Sequence, residues 1–320
     1  CTVYDNGNGL LWAKDYHRLY LIDGRTQRFC NNIKQLFEAS EVKESLNDFI
    51  LDQDKKAWLI TESGKLYRYD WKSPAMLVYQ PSKEELKKGI RVKEVIQSGP
   101  FHFIFLNTGK MLCWEEKNLS IIHEDNTIAT SEPSEHFRTT WIQKDHQTLI
   151  ISNIHPHHEL YTYNIYTRQW NTVLSDVSFY DIKKTNDGDF LLGGRNSLIR
   201  LSNDLRIIKE TNHLEAIEKK DINDVIISIL IDKQNGLWLG TGSNGILKNI
   251  PKNTFLSYYP NTLGINYESR YIRTICQYDD ENLLVGTLCG LYMFNTKNKT
   301  YQTALPDFEP VYYTNIKKSD

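Results

Sequence analysis

An all-β fold, a seven-bladed β-propeller of four-stranded antiparallel blades, is predicted for this chain by three observations. One motif recurs seven times along 320 residues. Its spacing is almost constant: the position held by Trp238 recurs at Trp12, Trp58, Phe103, Leu149, Leu191, Trp238 and Leu284, with successive differences of 46, 45, 46, 42, 47 and 46. The segments around each anchor are short apolar runs bounded by turn residues. A period of about 40–50 residues built this way marks a propeller, because one such sheet cannot bury both its faces alone. Seven repeats use the whole length, so residues 1–320 read as a single propeller.

The sixth repeat shows the elements in order. Val225 to Ile231 is an apolar, β-branched run suited to a buried inner strand. Asp232 to Gly236 is a turn, since Asn-Gly favours left-handed backbone. Leu237 to Gly240 is the second strand, with Gly240 and Gly245 allowing close backbone approach and a tight connection. Ile246 to Ile250 is the third strand, Pro251 to Thr254 turns the chain, and Phe255 to Tyr258 is the outer strand. Tyr271 to Gln277 then opens the next blade.

The other copies vary in fidelity. The first has Leu11-Trp12 and Leu19-Tyr20, the second Trp58 and Leu66-Tyr67, the fourth Leu149 and Leu160 to Tyr163, and the fifth Leu191 to Gly194. The third, around Phe103, is weak. Repeated Trp or Leu anchors read as packing between blades. Lys83 to Lys93 reads as a solvated loop or short helix. A shift of 272 from Trp12 to Leu284 sets Cys1 over Arg273, inside an inner strand, and Val311 to Asp320 resembles Arg270 to Asp280. Residues 309–320 are therefore expected either to close the ring beside the first blade or to begin a following blade. The chain reads as a piece of a longer protein.

Composition narrows the function. A formal net charge of −2, from 38 basic and 40 acidic residues, argues against nucleic-acid binding. No apolar run of membrane-spanning length occurs, so no membrane insertion by this region is expected. The five cysteines, Cys1, Cys30, Cys113, Cys276 and Cys289, have no metal or redox spacing. No nucleophile elbow, zinc-protease motif or phosphate loop appears, so the propeller itself is expected to be no enzyme and to need no cofactor.

Asp232 to Thr241 followed by Gly245-Ile246, and Asp279 to Thr287 followed by Gly290-Leu-Tyr292, resemble the two-component regulator propeller repeat. The resemblance runs through the chain and is poorest around Phe103. It implies a periplasmic, non-catalytic sensor region of an inner-membrane hybrid two-component receptor, of the kind found in gut Bacteroidetes. Such a sensor detects oligosaccharides from complex glycans and regulates polysaccharide-utilisation genes. The resemblance further implies a second propeller and a β-sandwich in the same receptor, a histidine kinase elsewhere in it, and a homodimer. The repeat itself identifies no binding residue.

In propellers the loops between second and third strands and those between blades gather on one face, the default ligand site. Here that face would collect Lys14 to Arg18, Asn153 to Glu159, Arg195-Asn196, Ser243-Asn244, Leu288-Cys289, Arg138 to Trp141 and Arg270-Tyr271. Aromatic faces stack on sugar rings, and Arg, Asn and His present planar donors. Tyr16, His17, Arg18, Arg195, Asn196, Arg270 and Tyr271 are the candidate ligand-binding residues. His155-Pro-His-His158 lacks the fixed geometry and carboxylate or Cys partner of a metal site, so no metal is expected. Two alternatives stand beside the sensor. One is a propeller lyase or glycosidase using His17, His155 or His157 as base, and the other is a protein-interaction platform.

Overall fold

A computed structural model describes residues 2–5, 10–14, 19–23, 28–29, 40–52, 54, 56–70, 72–134, 136–155, 157–211, 224–249, 256–259, 270–304 and 315–317. The first sheet holds β1 (Thr2–Asp5), β2 (Leu10–Lys14), β3 (Leu19–Asp23) and β4 (Arg28–Phe29). The second holds β5 (Leu46–Leu51), β6 (Ala57–Thr61), β7 (Leu66–Tyr69) and β8 (Met76–Tyr79). The third holds β9 (Val92–Ser98), β10 (Phe101–Leu106), β11 (Met111–Glu115) and β12 (Ser120–Asp125). The fourth holds β13 (Arg138–Gln143), β14 (Thr148–His155), β15 (Glu159–Asn164) and β16 (Trp170–Leu174). The fifth holds β17 (Phe179–Lys184), β18 (Phe190–Gly194), β19 (Ser197–Leu201) and β20 (Ile207–Thr211). The sixth holds β21 (Ile226–Ile231), β22 (Leu237–Thr241), β23 (Ile246–Asn249) and β24 (Leu256–Tyr259). The seventh holds β25 (Ile272–Gln277), β26 (Asn282–Thr287), β27 (Leu291–Asn295) and β28 (Thr300–Thr303).

Six of these sheets are four-stranded, with their strands paired antiparallel in chain order. The first sheet gains a fifth member, β29 (Asn315–Lys317), which runs parallel to β1 with Thr2 facing Asn315 and Tyr4 facing Lys317. All seven anchors stand in the second strand of their sheets. Lys83–Lys87 forms a short helix, α1, started by Ser82, whose hydroxyl accepts from Glu85 N while the Glu85 carboxylate accepts from Ser82 N. That reciprocal capping box is the reason so short a segment is helical.

The core consists of junctions between successive sheets. Trp58, Ile60 and Leu66 of the second sheet pack with Ile104, Leu112 and Trp114 of the third. Phe103, Phe105 and Cys113 of the third pack with Leu149, Ile151 and Tyr163 of the fourth. Ile150, between those last two strand residues, belongs instead to the cluster with Phe179, Ile182 and Leu192 of the fifth. Alternation along β14 thus feeds both neighbours, which is why the central strands lack a polar face. Leu191 and Leu198 meet Ile226, Ile229 and Leu239, and Trp238 and Ile246 meet Ile272, Val285 and Phe294.

The repeated residues have defined tasks. Asp232 accepts from Gly236 N at 2.6 Å, Gln234 N at 3.0 Å and the Trp238 indole Nε1 at 2.8 Å. One carboxylate therefore closes the turn and satisfies the only polar atom of a buried anchor. Asp52 does the same for Trp58, at 3.1 Å. Gly236 must lack a side chain, because a Cβ there would lie 2.4 Å from Asp232 Oδ2. The left-handed residue of this turn is Asn235, at φ 63°, and residues 232–236 lie between the paired Ile231 and Leu237, so the loop is longer than a two-residue hairpin turn. Thr241 Oγ1 donates to Gly245 O at 2.9 Å and accepts from Asn244 N at 3.0 Å, closing the next loop.

Gly240 and Gly193 are points of close approach between blades. A Cβ there would sit 2.6 Å from Ile272 Cγ2 of the seventh sheet, and a Cβ on Gly193 would sit 2.6 Å from Ile226 Cγ2 of the sixth. In the third blade the same place, two residues after the anchor, is Phe105, which stacks on Phe137 with ring centroids 6.4 Å apart. That substitution hides the repeat in sequence while leaving a complete sheet. Replacing Asp232 by Ala is expected to destabilise the chain by about 2–4 kcal/mol, since it strands a buried indole N–H and opens the turn. Gly240→Ala is expected to cost about 1–3 kcal/mol by overpacking the sixth junction. Urea unfolding of each variant measures both.

Candidate ligand site on the loop face

At one end of the sheets, the turns between second and third strands meet the entries to the inner strands of the following blade. Asp224, two residues before β21, organises this meeting. Its Oδ2 accepts from Ser243 N at 2.8 Å, Ser243 Oγ at 2.9 Å, Asn244 N at 2.9 Å and Asn244 Nδ2 at 2.6 Å. Its Oδ1 accepts from Val225 N at 2.7 Å. The carboxylate is buried and its accepting capacity is spent on one loop. Its backbone carbonyl accepts from Asn196 N at 2.9 Å, and Arg195 forms a β-bridge with Val225. The fifth, sixth and seventh blades are joined here, because a Cβ on Gly242 would lie 2.9 Å from Asp224 Oδ1 and 3.4 Å from Tyr271 Cε2.

Four of the sequence-derived candidates thus fall on this face. Arg195 and Asn196 stand in the β18–β19 turn, with Asn196 left-handed at φ 54° and the Arg195 side chain exposed. Tyr271 is half-buried beside Gly242, and Arg270 precedes it with an exposed side chain. Tyr16, His17 and Arg18 lie outside the described residues. The histidine segment diverges: His157 Nε2 lies 3.2 Å from Ile128 O, and His158 Nδ1 lies 2.6 Å from Ser178 Oγ. The His155 side chain lies outside the described residues, among which no group of three metal-ligating side chains occurs.

Two participants went unread in the sequence. Asp224 has a detectable signal, since 238 − 224 = 14 and 58 − 44 = 14 place Glu44 at the same distance before the second anchor. Ser63 stands at the place of Ser243, five residues after the anchor, and its hydroxyl donates to Glu44, as does Lys65. The Glu44 carboxyl is held below the usual carboxylate range by these hydrogen bonds, from Lys65 first and Ser63 second. The second participant is Arg273, whose guanidinium carbon lies 4.9 Å from the Tyr271 ring centroid. On the same face of the third blade, burial and then the nearby Arg91 charge pull the Lys93 amine below its ordinary value.

A family model described as two component regulator propeller matches residues 221–243, the stretch from just before Asp224 to Ser243. This stretch is similar to a regulator propeller repeat. Solved structures extend the likeness of fold beyond that repeat. The extracellular domain described as that of the hybrid two component system BT4673 from B. thetaiotaomicron superposes with a TM-score of 0.59 at 17% identity, over 87% of this chain and 36% of that one. The corresponding domain of BT3049 from the same organism gives a TM-score of 0.54 at 16% identity, over 94% of this chain and 46% of that one. Sqt1 from Saccharomyces cerevisiae gives 0.60 at 12% identity, over 98% of this chain and 85% of that one. The chain therefore spans less than half of either receptor domain. No curated protein sequence matches it.

Asp224→Ala removes the side-chain ties of the β22–β23 loop to the blade entry and leaves the backbone bond from Gly242 N to Val225 O. It is expected to cost about 2–4 kcal/mol and to speed amide exchange at Ser243 and Asn244 more than at Leu239. Hydrogen-exchange mass spectrometry over peptides 224–249 reads this directly.

Proposed function

We propose that this chain is an extracytoplasmic sensor propeller of a hybrid two-component system, binding oligosaccharides on its loop face and acting without catalysis of its own. The regulator propeller repeat at residues 221–243 carries this reading. Likeness of fold cannot choose it, because the same fold comparison reaches a yeast protein as well as bacterial receptor domains. The repeat also encloses Asp224, the residue that gathers Asn196, Ser243 and Asn244. Arg195, Asn196, Arg270 and Tyr271 offer planar donors and an aromatic face, the groups that bind sugar hydroxyls and rings.

Among the described residues no helix is long and apolar enough to cross a membrane. In this reading the propeller lies in the periplasm, and the remainder of the receptor supplies a second propeller, a β-sandwich, the membrane span and the kinase. In this reading residues 1–320 form one ring, and the pairing of β29 with β1 supports closure at that point. Ligand favours one arrangement of propellers or protomers over another. The signal is the difference in its affinity for the two, and it ends in control of genes for polysaccharide use.

Calorimetric titration with a panel of plant and host oligosaccharides tests this. Saturable heat is expected from at least one of them, and Arg195→Ala or Tyr271→Ala should weaken it by about tenfold or more. An absence of heat with every sugar, for this chain and for the complete receptor ectodomain alike, would discard the sensor reading. It would favour a protein-interaction platform, for which the exposed Ile207 and Ile208 of β20 are suited.

A further inference from the structure

The sixth and seventh blades are a natural comparison within one chain. Register sets Ile226 opposite Thr241 and Ile272 opposite Thr287, so the two isoleucines are equivalent. Both are fully buried. Around that shared residue the other three positions of the blade entry change character. Asp224-Val225-Ile226-Ile227 in the sixth blade becomes Arg270-Tyr271-Ile272-Arg273 in the seventh.

Two of the three changes add positive charge, Arg270 in place of Asp224 and Arg273 in place of Ile227. The sixth-blade acid spends itself on Ser243 and Asn244. At its place in the seventh blade stands Arg270, exposed, and at the place of Ser243 stands Cys289. There the loop is closed without an acid, by Thr287 Oγ1, which accepts from Cys289 N at 3.1 Å and donates to Gly290 O at 3.0 Å. Arg270 is therefore not needed to close this loop.

Residues 227 and 273 are the bulged positions of their inner strands. Ser228 faces Gly240 and Thr274 faces Gly286, so Ile227 and Arg273 have no facing residue in the ladder. Ile227 is buried against the loop, with its Cδ1 3.7 Å from a Cβ built on Gly242. Arg273 is half-buried over Tyr271, and its Nε is shielded from solvent with no hydrogen-bond acceptor. A guanidinium held by an aromatic face, with a donor unused, is set to complete itself on a planar anion. Among the described residues no carboxylate pairs with Arg195, Arg270 or Arg273, and Asp224 of the sixth-blade entry already accepts from Ser243 and Asn244. The other charged residue at a bulged position, Lys93 of β9, is also a cation.

We propose that the entry to the seventh blade is a subsite for an anionic group, a carboxylate or a sulfate ester, gripped by Arg273 and Arg270 with Tyr271 packing on the adjoining ring of the ligand. This rests on the oligosaccharide reading above and narrows it to acidic saccharides.

The test is calorimetric titration of the full chain with trigalacturonate, galactose 6-sulfate and maltotriose, at low salt and at about 0.5 M salt. An acidic probe is expected to bind, to weaken with salt, and to lose about tenfold or more in affinity in Arg273→Gln and in Arg270→Gln. Binding of trigalacturonate alone assigns the anion as a uronate, and of galactose 6-sulfate alone as a sulfate ester. Arg270→Gln alters an exposed side chain, so it reports on binding even if Arg273→Gln folds poorly. Maltotriose binding as tightly as either acid, with no effect of Arg270→Gln, overturns the anion assignment and leaves the sensor reading standing. Silence from both acidic probes also overturns it, and the wider sugar panel then decides the sensor reading separately.

Discussion

The structure depends on one constraint: a four-stranded sheet with two apolar faces must have a neighbour on each side. The contacts of Gly193 with Ile226 and Gly240 with Ile272 show how closely this is met. The glycine removes its side chain so that the first core residue of the next inner strand can enter. Where a blade abandons glycine, as at Phe105, the next blade answers with an aromatic, Phe137. Both kinds of junction are filled by buried apolar side chains.

Polar atoms follow the same logic. A buried Trp carries one donor that must be paired, and Asp232 and Asp52 each pair it with the carboxylate that also closes the turn. Between blades, Asp181 Oδ2 accepts from Ile229 N at 2.7 Å and Ser228 Oγ accepts from Ile275 N at 3.1 Å. These side chains cap the free edges of the inner strands, whose backbone would otherwise be unpaired towards the axis. On the loop face the sixth-blade entry is anchored to the loop of its own blade through the Asp224 carboxylate and to the turn of the fifth through Asn196 N.

Much of the fold was legible in sequence. The anchor spacing locates the second strand of every sheet, and the strands read for the sixth blade differ from those observed by a residue or two at their ends. The turn aspartates were read as turn formers alone, and their bond to the indole was invisible because it depends on a side chain six residues away folding back. The site was legible only as a region. Arg195, Asn196 and Tyr271 could be assigned to one face because loop position determines which end of a blade a residue occupies. Arg273 could not, because its place depends on the β-bulge near the start of β25, a one-residue shift that leaves no mark in hydrophobic pattern.

The pairing of β29 with β1 has a consequence for the order of assembly. Six sheets are built from strands close in sequence, and each can form as its own segment becomes available. The first sheet takes in Asn315–Lys317 beside Thr2–Tyr4, so it spans nearly the entire chain. Contacts of such long sequence separation close late, after their loop entropy has been met by everything between them. During synthesis the inner edge of β1 is therefore bare until the last strand emerges. In that interval β1 is the part of the protein most open to pairing with a strand from another molecule.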